Sequence, residues 1–251
     1  SISFGTEVVF NSGSTIGSAP VFDSSNNKIV IAYKDSGNSS YGTAVVGTVS
    51  GTAISFGSEA VFESASLTND LGIAFDSNAN KVVIGYTDIG NSSYGTAIVG
   101  TVSGTSISFG DPVVFDATGS TSGVQLAFDS NANRVVAGYK ISATPAGLYA
   151  IGSVSGTSIS FQTPVTFNSN HSNYNVMTFD SSQNTIVIAY KDGGNSNYGT
   201  AKGLQLTGAY PNLVPNSTYY VQDDGTLSTT SSSVTAGKAM STNSINLDYS
   251  T

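Results

Sequence analysis

The sequence contains no cysteine and no tryptophan, and His171 is its single histidine. Without cysteine the chain can form no disulfide and has no thiolate for catalysis or metal binding, and the redox compartment cannot be deduced. A Ser/His/Asp hydrolase needs an acid to orient its histidine, and no acid lies near His171 in the sequence. We therefore expect His171 to be a solvent-exposed residue rather than a catalytic base.

Charge is also scarce. Only 10% of the residues are charged, the net charge is −8, and the eight basic residues are scattered along the chain. Nucleic-acid binding needs a clustered basic face, so we expect none. No apolar run approaches the roughly 18 residues of a membrane span, so we expect a soluble chain without membrane insertion. Ser1 begins inside a repeat with no signal-like segment, which predicts a trimmed or processed start.

Phenylalanine shows that the chain is a fourfold repeat. All twelve phenylalanines fall in the first 179 positions, three to each of four segments, and the frame restarts at Ser1, Ala53, Ser106 and Ser158. A period of 52 or 53 residues is typical of propellers, solenoids or arrays. The three sets of equivalent residues are Phe4, Phe56, Phe109 and Phe161; Phe10, Phe62, Phe115 and Phe167; and Phe22, Phe75, Phe128 and Phe179. We expect the last set to be buried between repeats.

Each repeat has the pattern of four antiparallel strands. Short alternating or β-branched runs are separated by polar clusters rich in Asp, Asn, Ser and Gly, and no helical period is present. Four strands in about 50 residues predict a β-propeller blade. A solenoid would also explain the period, but it would need polar caps that we do not find in the sequence.

The strand count predicts how the ring closes. The chain starts with an outermost strand, Ser1–Phe10, and the fourth repeat supplies only three strands before Gly208. We expect Ser1–Phe10 to pair beside Tyr198–Leu206, so that residues 1–208 form four four-stranded blades. Residues 209–251 then form a small β appendage, with a hairpin around Asp224-Gly225 and a last strand at Ile245–Leu247. A degenerate fifth blade is the alternative.

Two stretches carry a resemblance to known proteins. The unit from Phe75 to Thr105 resembles the propeller-type repeats of structural proteins in marine bacteriophages. The segment from Ser217 to Thr230, with Ala236–Ala239, is similar to the C-terminal ends of tail-fibre-like and other virion proteins of such phages. The resemblance implies a virion component, and receptor binding by analogy.

A looser resemblance concerns the loops between the second and third strands. Asp35-Ser36-Gly37, Asp88-Ile89-Gly90 and Asp192-Gly193-Gly194 resemble the Asp-box hairpins of sialidase-like propellers, although the following tyrosine lies further away. The third repeat departs from this pattern at 140–146. In that family the box is structural, so the resemblance does not imply hydrolysis.

The turns between the first and second strands resemble calcium loops in their alternating oxygen ligands. The candidate ligands are Asp76, Asn78, Asn80, Asp129, Asn131 and Asn133. A calcium loop also needs a glycine and a distal bidentate acid, and Lys81 and Arg134 stand where those would begin. We therefore favour turns in which the aspartate bonds to the backbone, and we expect no metal and no cofactor.

Loops on a rigid scaffold often carry binding function, so the loop residues are our candidates for it. Packing of the tyrosines against neighbouring blades is the alternative role, and the one that we favour. We expect a non-enzymatic structural protein of a phage virion, a tail-fibre or host-attachment module that binds a cell-surface glycan or protein through the propeller loops. We expect it to be multimeric in the particle and in contact with other virion proteins. A purely architectural decoration protein and an Asp-box-type glycoside hydrolase are the alternatives. The candidate binding residues are Asn38, Tyr41, Asn91, Tyr94, Asn195, Tyr198, His171 and Tyr174.

Overall fold

The protein is all-β, as the sequence predicts. The structure is a computed structural model and describes residues 2–144, 146–206, 218–221, 227–228, 234–241 and 244–247. These residues contain antiparallel sheets and one short 3-10 turn, Ile89–Asn91, but no α-helix. The prediction of an all-β fold is confirmed, and no helix in the described residues is long and apolar enough to cross a membrane. The chain divides into two compact units, Ser1–Gln205 and Leu206–Thr251.

The strands of the first unit follow the repeat. The first two repeats contain β1 (Thr15–Asp23), β2 (Lys28–Asp35), β3 (Tyr41–Ser50), β4 (Ala53–Phe56), β5 (Ala60–Asp76), β6 (Lys81–Asp88), β7 (Tyr94–Ser103), β8 (Ser106–Phe109) and β9 (Val113–Asp116). The last two contain β10 (Thr121–Asp129), β11 (Arg134–Ile141), β12 (Gly147–Ser155), β13 (Ser158–Phe161), β14 (Val165–Asn168), β15 (Ser172–Asp180), β16 (Thr185–Asp192) and β17 (Tyr198–Leu204).

Within each repeat the strands pair in chain order, and the outer strand is interrupted. Phe56 lies opposite Gly47, whereas Ala60 lies opposite Ala44, so β4 and the start of β5 cover the two halves of β3. The Gly57 amide still donates to the Val46 carbonyl at 2.9 Å across the interruption. β5 then continues into the first strand of the next sheet, so one strand connects two neighbouring sheets.

The fourth sheet has only three strands. β17 pairs with β16, and no strand among the described residues covers its other edge. Residues 2–10 form no strand. Residues 2–10 therefore do not pair with Tyr198–Leu206 as predicted, and the sheets in the described part of the chain form no closed ring.

The second unit contains one small sheet, which is made of β18 (Thr218–Val221), β19 (Leu227–Ser228), β20 (Val234–Ser241) and β21 (Ser244–Leu247). Its strand order is β19-β18-β20-β21, unlike the consecutive order of the four repeat sheets. β18 and β19 pair as the predicted hairpin requires, but the predicted Asp224-Gly225 turn lies outside the described residues. The described strands of this sheet thus differ in order from those of the repeats.

Neighbouring repeats are joined by aromatic pairs. Phe62 of one outer strand packs on Tyr86 of the next sheet, with ring centroids 5.3 Å apart, and also on Phe109 at 5.7 Å. Tyr86 is fully buried, as are its equivalents Tyr33 and Tyr139. The same pairing recurs one repeat later for Phe115 with Tyr139 and Phe161, and in the last junction for Phe167 with Tyr190.

The N-terminal segment occupies the same position against the first sheet. Phe10 lies 5.2 Å from the Tyr33 ring and 5.8 Å from the Phe56 ring, as Phe62 does in the next junction. Gly5 packs against Thr52, as Gly57 packs against Thr105. Residues 2–10 therefore have the place of an outer strand without a sheet to pair with.

One expectation about the core is wrong. Phe22, Phe75, Phe128 and Phe179 are not the buried set, because Phe22 is 52% exposed and the other three are partly buried. Phe75 and Phe128 pack at junctions between neighbouring sheets, whereas no preceding sheet covers Phe22. The most buried phenylalanines are Phe62 and Phe115, 7% and 5% exposed.

We predict that Phe62→Ala lowers the free energy of unfolding by about 3–5 kcal/mol, because it removes a large side chain at a tight junction. A Cβ on Gly42 would lie 2.5 Å from this ring, which shows how closely the site is packed. Val61→Ala is the matched control, since Val61 is the adjacent residue and is 45% exposed. It should cost less than about 1 kcal/mol in the same urea titration. Similar losses in both variants would contradict this description of the core.

Candidate functional site

One edge of the repeat unit carries two sets of connections, which together we call the loop rim. The first set leads into the first strands of the first, third and fourth repeats, at 11–14, 117–120 and 169–171, whereas in the second repeat β5 runs through this position without a loop. The second set joins the second and third strands, at 36–40, 89–93, 142–146 and 193–197. All eight candidate binding residues lie on the rim or within one residue of it, except Tyr174, which is the third residue of β15.

Backbone hydrogen bonds tie the two sets together. Within repeats, the Ser36 amide donates to the Ser14 carbonyl at 2.8 Å, and the Gly193 amide donates to the His171 carbonyl at 2.7 Å. Between repeats, the Thr121 amide donates to the Ser93 carbonyl at 2.9 Å. The rim is therefore a connected surface, and His171 lies beside the loop that carries Asn195 and Tyr198.

An aspartate fixes each of three rim loops. The Asp35 carboxylate accepts from the amides of Gly37 and Asn38, at 3.0 and 3.1 Å. The equivalent carboxylates of Asp88 and Asp192 accept from the Asn91 and Gly194 amides. The two residues that end each loop have positive φ, and they are Ser39, Ser40, Ser92, Ser93, Ser196 and Asn197. The backbone of the candidate asparagines thus helps to form the turns, while Asn38, Asn91 and Asn195 are exposed.

The three rim tyrosines differ in exposure. Tyr41 and Tyr94 are half-buried, as packing on neighbouring strands requires. Tyr198 is 63% exposed because no outer strand covers β17. The third repeat has no equivalent tyrosine, and its loop departs from the Asp-anchored pattern.

Tyr174 has the least typical conformation of the candidates. It is 82% exposed and has φ of +55°, at the repeat position where Gly17 and Gly123 have φ of +61° and +64°. For a residue with a β-carbon, this left-handed backbone conformation costs about 1–2 kcal/mol relative to the right-handed helical conformation. Strain of this kind clusters at functional positions. An exposed aromatic ring is thus held in a conformation that glycine would adopt more readily.

The calcium candidates form backbone turns. The Asp76 carboxylate accepts from the Asn78 and Ala79 amides at 3.0 and 2.8 Å, and Asn80 closes the turn with φ of +54°. Asp129 binds the amides of Asn131 and Ala132 in the same way, and Asn133 has φ of +51°. Within the described ranges, no group of three His, Asp or Glu side chains could hold a metal ion.

Acids of the outer strands accept from the buried tyrosines. The hydroxyls of Tyr33, Tyr86 and Tyr139 donate to Glu59, Glu63 and Asp116 at 2.7, 3.1 and 2.7 Å. Burial raises the pKa of each tyrosine, so each stays a neutral donor. Burial, followed by the charge of Glu63, also raises the pKa of the Asp88 carboxyl. Glu63 and Asp116 thus bond across junctions between neighbouring sheets, whereas Glu59 bonds to a tyrosine of the first sheet, to which the start of β5 also belongs.

Sequence reasoning missed a cavity of about 460 Å³ between the first strands of all four repeats. It lies where the strand registers shift, since each of the four strands has a bulge next to the residues that line the cavity. No motif marks it in the sequence, because its lining comes from the positions that differ between repeats. The lining residues are Gly17, Ser18, Ala19, Pro20, Asp70, Leu71, Ile73, Gln125, Leu126 and Met177.

Comparisons with known proteins give no family for this chain. No family of known proteins matches the sequence, and no protein of curated function is significantly similar to it.

We predict that Asp76→Ala lowers the free energy of unfolding by about 1–2 kcal/mol, because two backbone amides of the turn lose their acceptor. Asp111→Ala, at an exposed acid outside the turns, should be nearly neutral. Calcium should not raise the melting temperature of the wild type. A calcium-dependent rise that Asp76→Ala abolishes would instead assign a metal to this loop.

Proposed function

We propose that this chain is a non-enzymatic structural protein of a phage virion and serves as a host-attachment module. Its loop rim would bind a cell-surface glycan or protein. The observation that carries the proposal is the exposed Tyr174, which is held at φ of +55° at a strand bulge three residues after the exposed rim residue His171. Phage origin rests on the sequence resemblance of the repeats and of the C-terminal segment.

The chemistry of the rim supports recognition of sugars. Its exposed side chains are mostly hydroxyls, amides and a few aromatic rings, which can hydrogen-bond and stack on a neutral polyol. Its loops are fixed by aspartates and by bonds between connections, so little conformational entropy is lost on binding. Net charge of −8 disfavours nucleic acid as a partner.

The proposed location is the extracellular particle, where the chain would be multimeric and contact other virion proteins. Multivalency suits weak rim contacts, because linked copies raise avidity by roughly 10²–10⁴ without new contacts. An isolated unit would therefore bind host cells weakly, and an array would bind them well.

We also propose that the four sheets are the blades of a β-propeller, closed by residues 2–10 as the outer strand of the fourth sheet. Three observations support closure: the position of Phe10 and Gly5 against the first sheet, the free edge of β17, and exposed apolar residues at both ends of the repeat array. Ile2, Phe4 and Val9 are 86%, 92% and 76% exposed, and Phe22, Val176 and Tyr198 are also more than half exposed.

The other repeats predict the register of this pairing. Ala44 lies opposite Ala60, Ala97 opposite Val113, and Tyr149 opposite Val165. The equivalent pair in the fourth sheet is Ala201 with Val8, and Phe4 then lies opposite Leu204.

A disulfide tests closure directly, because the chain has no cysteine of its own. We predict that Val8→Cys with Ala201→Cys forms an intramolecular disulfide in the monomer and raises the melting temperature under oxidising conditions. Val8→Cys with Thr200→Cys is the control, since adjacent strand residues face opposite sides. Failure of the first pair to cross-link, or cross-links only between copies, would refute closure within the chain.

The attachment function is tested by cell binding with a tetramerised repeat unit. We predict that the tetramer binds host cells or their surface polysaccharide at least about 100-fold more strongly than the monomer. Tyr174→Gly should reduce binding while keeping or slightly raising stability, because glycine accepts the positive φ. Val49→Ser, at the opposite edge of the sheets, is the control. Absence of binding to every envelope fraction would leave the architectural role alone.

A further inference from the structure

The cavity between the first strands is a binding site distinct from the loop rim. We propose that it takes the terminal sugar of a glycan, neutral or amine-bearing, and excludes anionic sugars. The proposal rests on the glycan-binding function above and adds a second site to it.

The lining of the cavity combines apolar residues with polar ones. Pro20, Ile73, Leu126 and Met177 occupy the same repeat position and together line it from all four sheets. The polar side chains of Ser18, Asp70 and Gln125 come from the preceding positions of their strands. A ligand with one less polar face and several hydroxyls fits this division.

The charge of the lining determines which charge a ligand can carry. Asp70 is the one ionisable residue in the lining, and no Lys, Arg or His contributes to it. The Asp70 side chain is exposed, and its Oδ2 accepts from the Gly123 amide at 3.2 Å. A carboxylate is an acceptor only, so it bonds strongly to hydroxyl or ammonium donors and repels a carboxylate or phosphate.

The strand bulges add further polar groups. A bulge leaves backbone groups without a ladder partner, and bulges are over-represented beside functional sites. Gly17, Ser18 and Asp70 lie at the bulges of the first two repeats and also line the cavity. The same residues that interrupt the strands therefore face the proposed ligand.

Size limits the ligand to a short saccharide. The volume of about 460 Å³ lies in the lower half of the range for small-molecule sites. A chain of many sugars would not fit, so a glycan would place only its terminal sugar in the cavity. The rim could contact the units that remain outside.

Ligand-observed NMR tests the proposal on the whole chain, with glucose, N-acetylglucosamine, glucosamine and N-acetylneuraminic acid as probes. We predict saturation transfer to at least one of the first three sugars and none to the anionic fourth. Asp70→Asn should weaken that binding by about tenfold, through loss of a charge-assisted bond. Its melting temperature should stay unchanged, because the amide oxygen still accepts from Gly123. Gln125→Leu should weaken binding as well.

Asp111→Asn is the matched control, because it removes one negative charge at an exposed site outside the lining. No binding of the three permitted sugars, equal binding of the anionic sugar, or no effect of Asp70→Asn would each overturn the proposal. Tyr174→Gly separates the two sites, since it should reduce cell binding and leave free-sugar binding intact. Sugar binding in a protein that never binds cells would support the cavity and refute the attachment function.

Discussion

The packing of a phenylalanine from one outer strand onto a buried tyrosine of the next sheet is the contact on which the repeat unit depends. Phe62 on Tyr86 and Phe115 on Tyr139 bury large rings at edge or tilted angles, a geometry that aromatic pairs prefer. The tyrosine hydroxyl is satisfied by an acid of the same outer strand. Each junction therefore combines burial of apolar area with a satisfied polar group, and a sheet that lacks either neighbour has an uncovered face.

This dependence explains where the structure is exposed. A repeat buries its core by stacking on its neighbours, so the first and last repeats have unburied faces unless something covers them. Phe22 and Tyr198 are exposed for this reason, although their equivalents in the middle of the array are partly buried. Residues 2–10 already pack on the first sheet through Phe10 and retain unpaired backbone groups. Unpaired strand edges promote pairing with other chains, and a complementary edge within the same chain would remove this tendency.

Much of the fold could be predicted from the sequence because the information was local and repeated four times. Alternating apolar and polar residues predict the strand positions. An aspartate with an asparagine two or four residues later predicts a turn, as at Asp76. The burial of the phenylalanines could not be predicted, because it depends on which face of each strand meets the next sheet. That is decided by contacts between residues far apart in sequence, such as Phe62 with Tyr86 and with Phe109. The interruption of the outer strand at Gly57 and the bulges at Gly17 and Gly123 were missed for the same reason. Of the candidate site, the rim loops could be predicted from composition, whereas the cavity required the arrangement of four strands.

The acids with structural partners in the described residues support the proposal of recognition rather than hydrolysis. A glycosidase needs two carboxylates that face each other across a substrate. Asp35 and Asp76 instead bind turn amides, and Glu63 and Asp116 bind buried tyrosines, so these carboxylates already have structural partners. Asp70 differs from these acids, because it lines the cavity and its carboxylate can accept further hydrogen bonds. A single acid of this kind can hold a ligand, but it cannot supply the pair of carboxylates that glycoside cleavage requires.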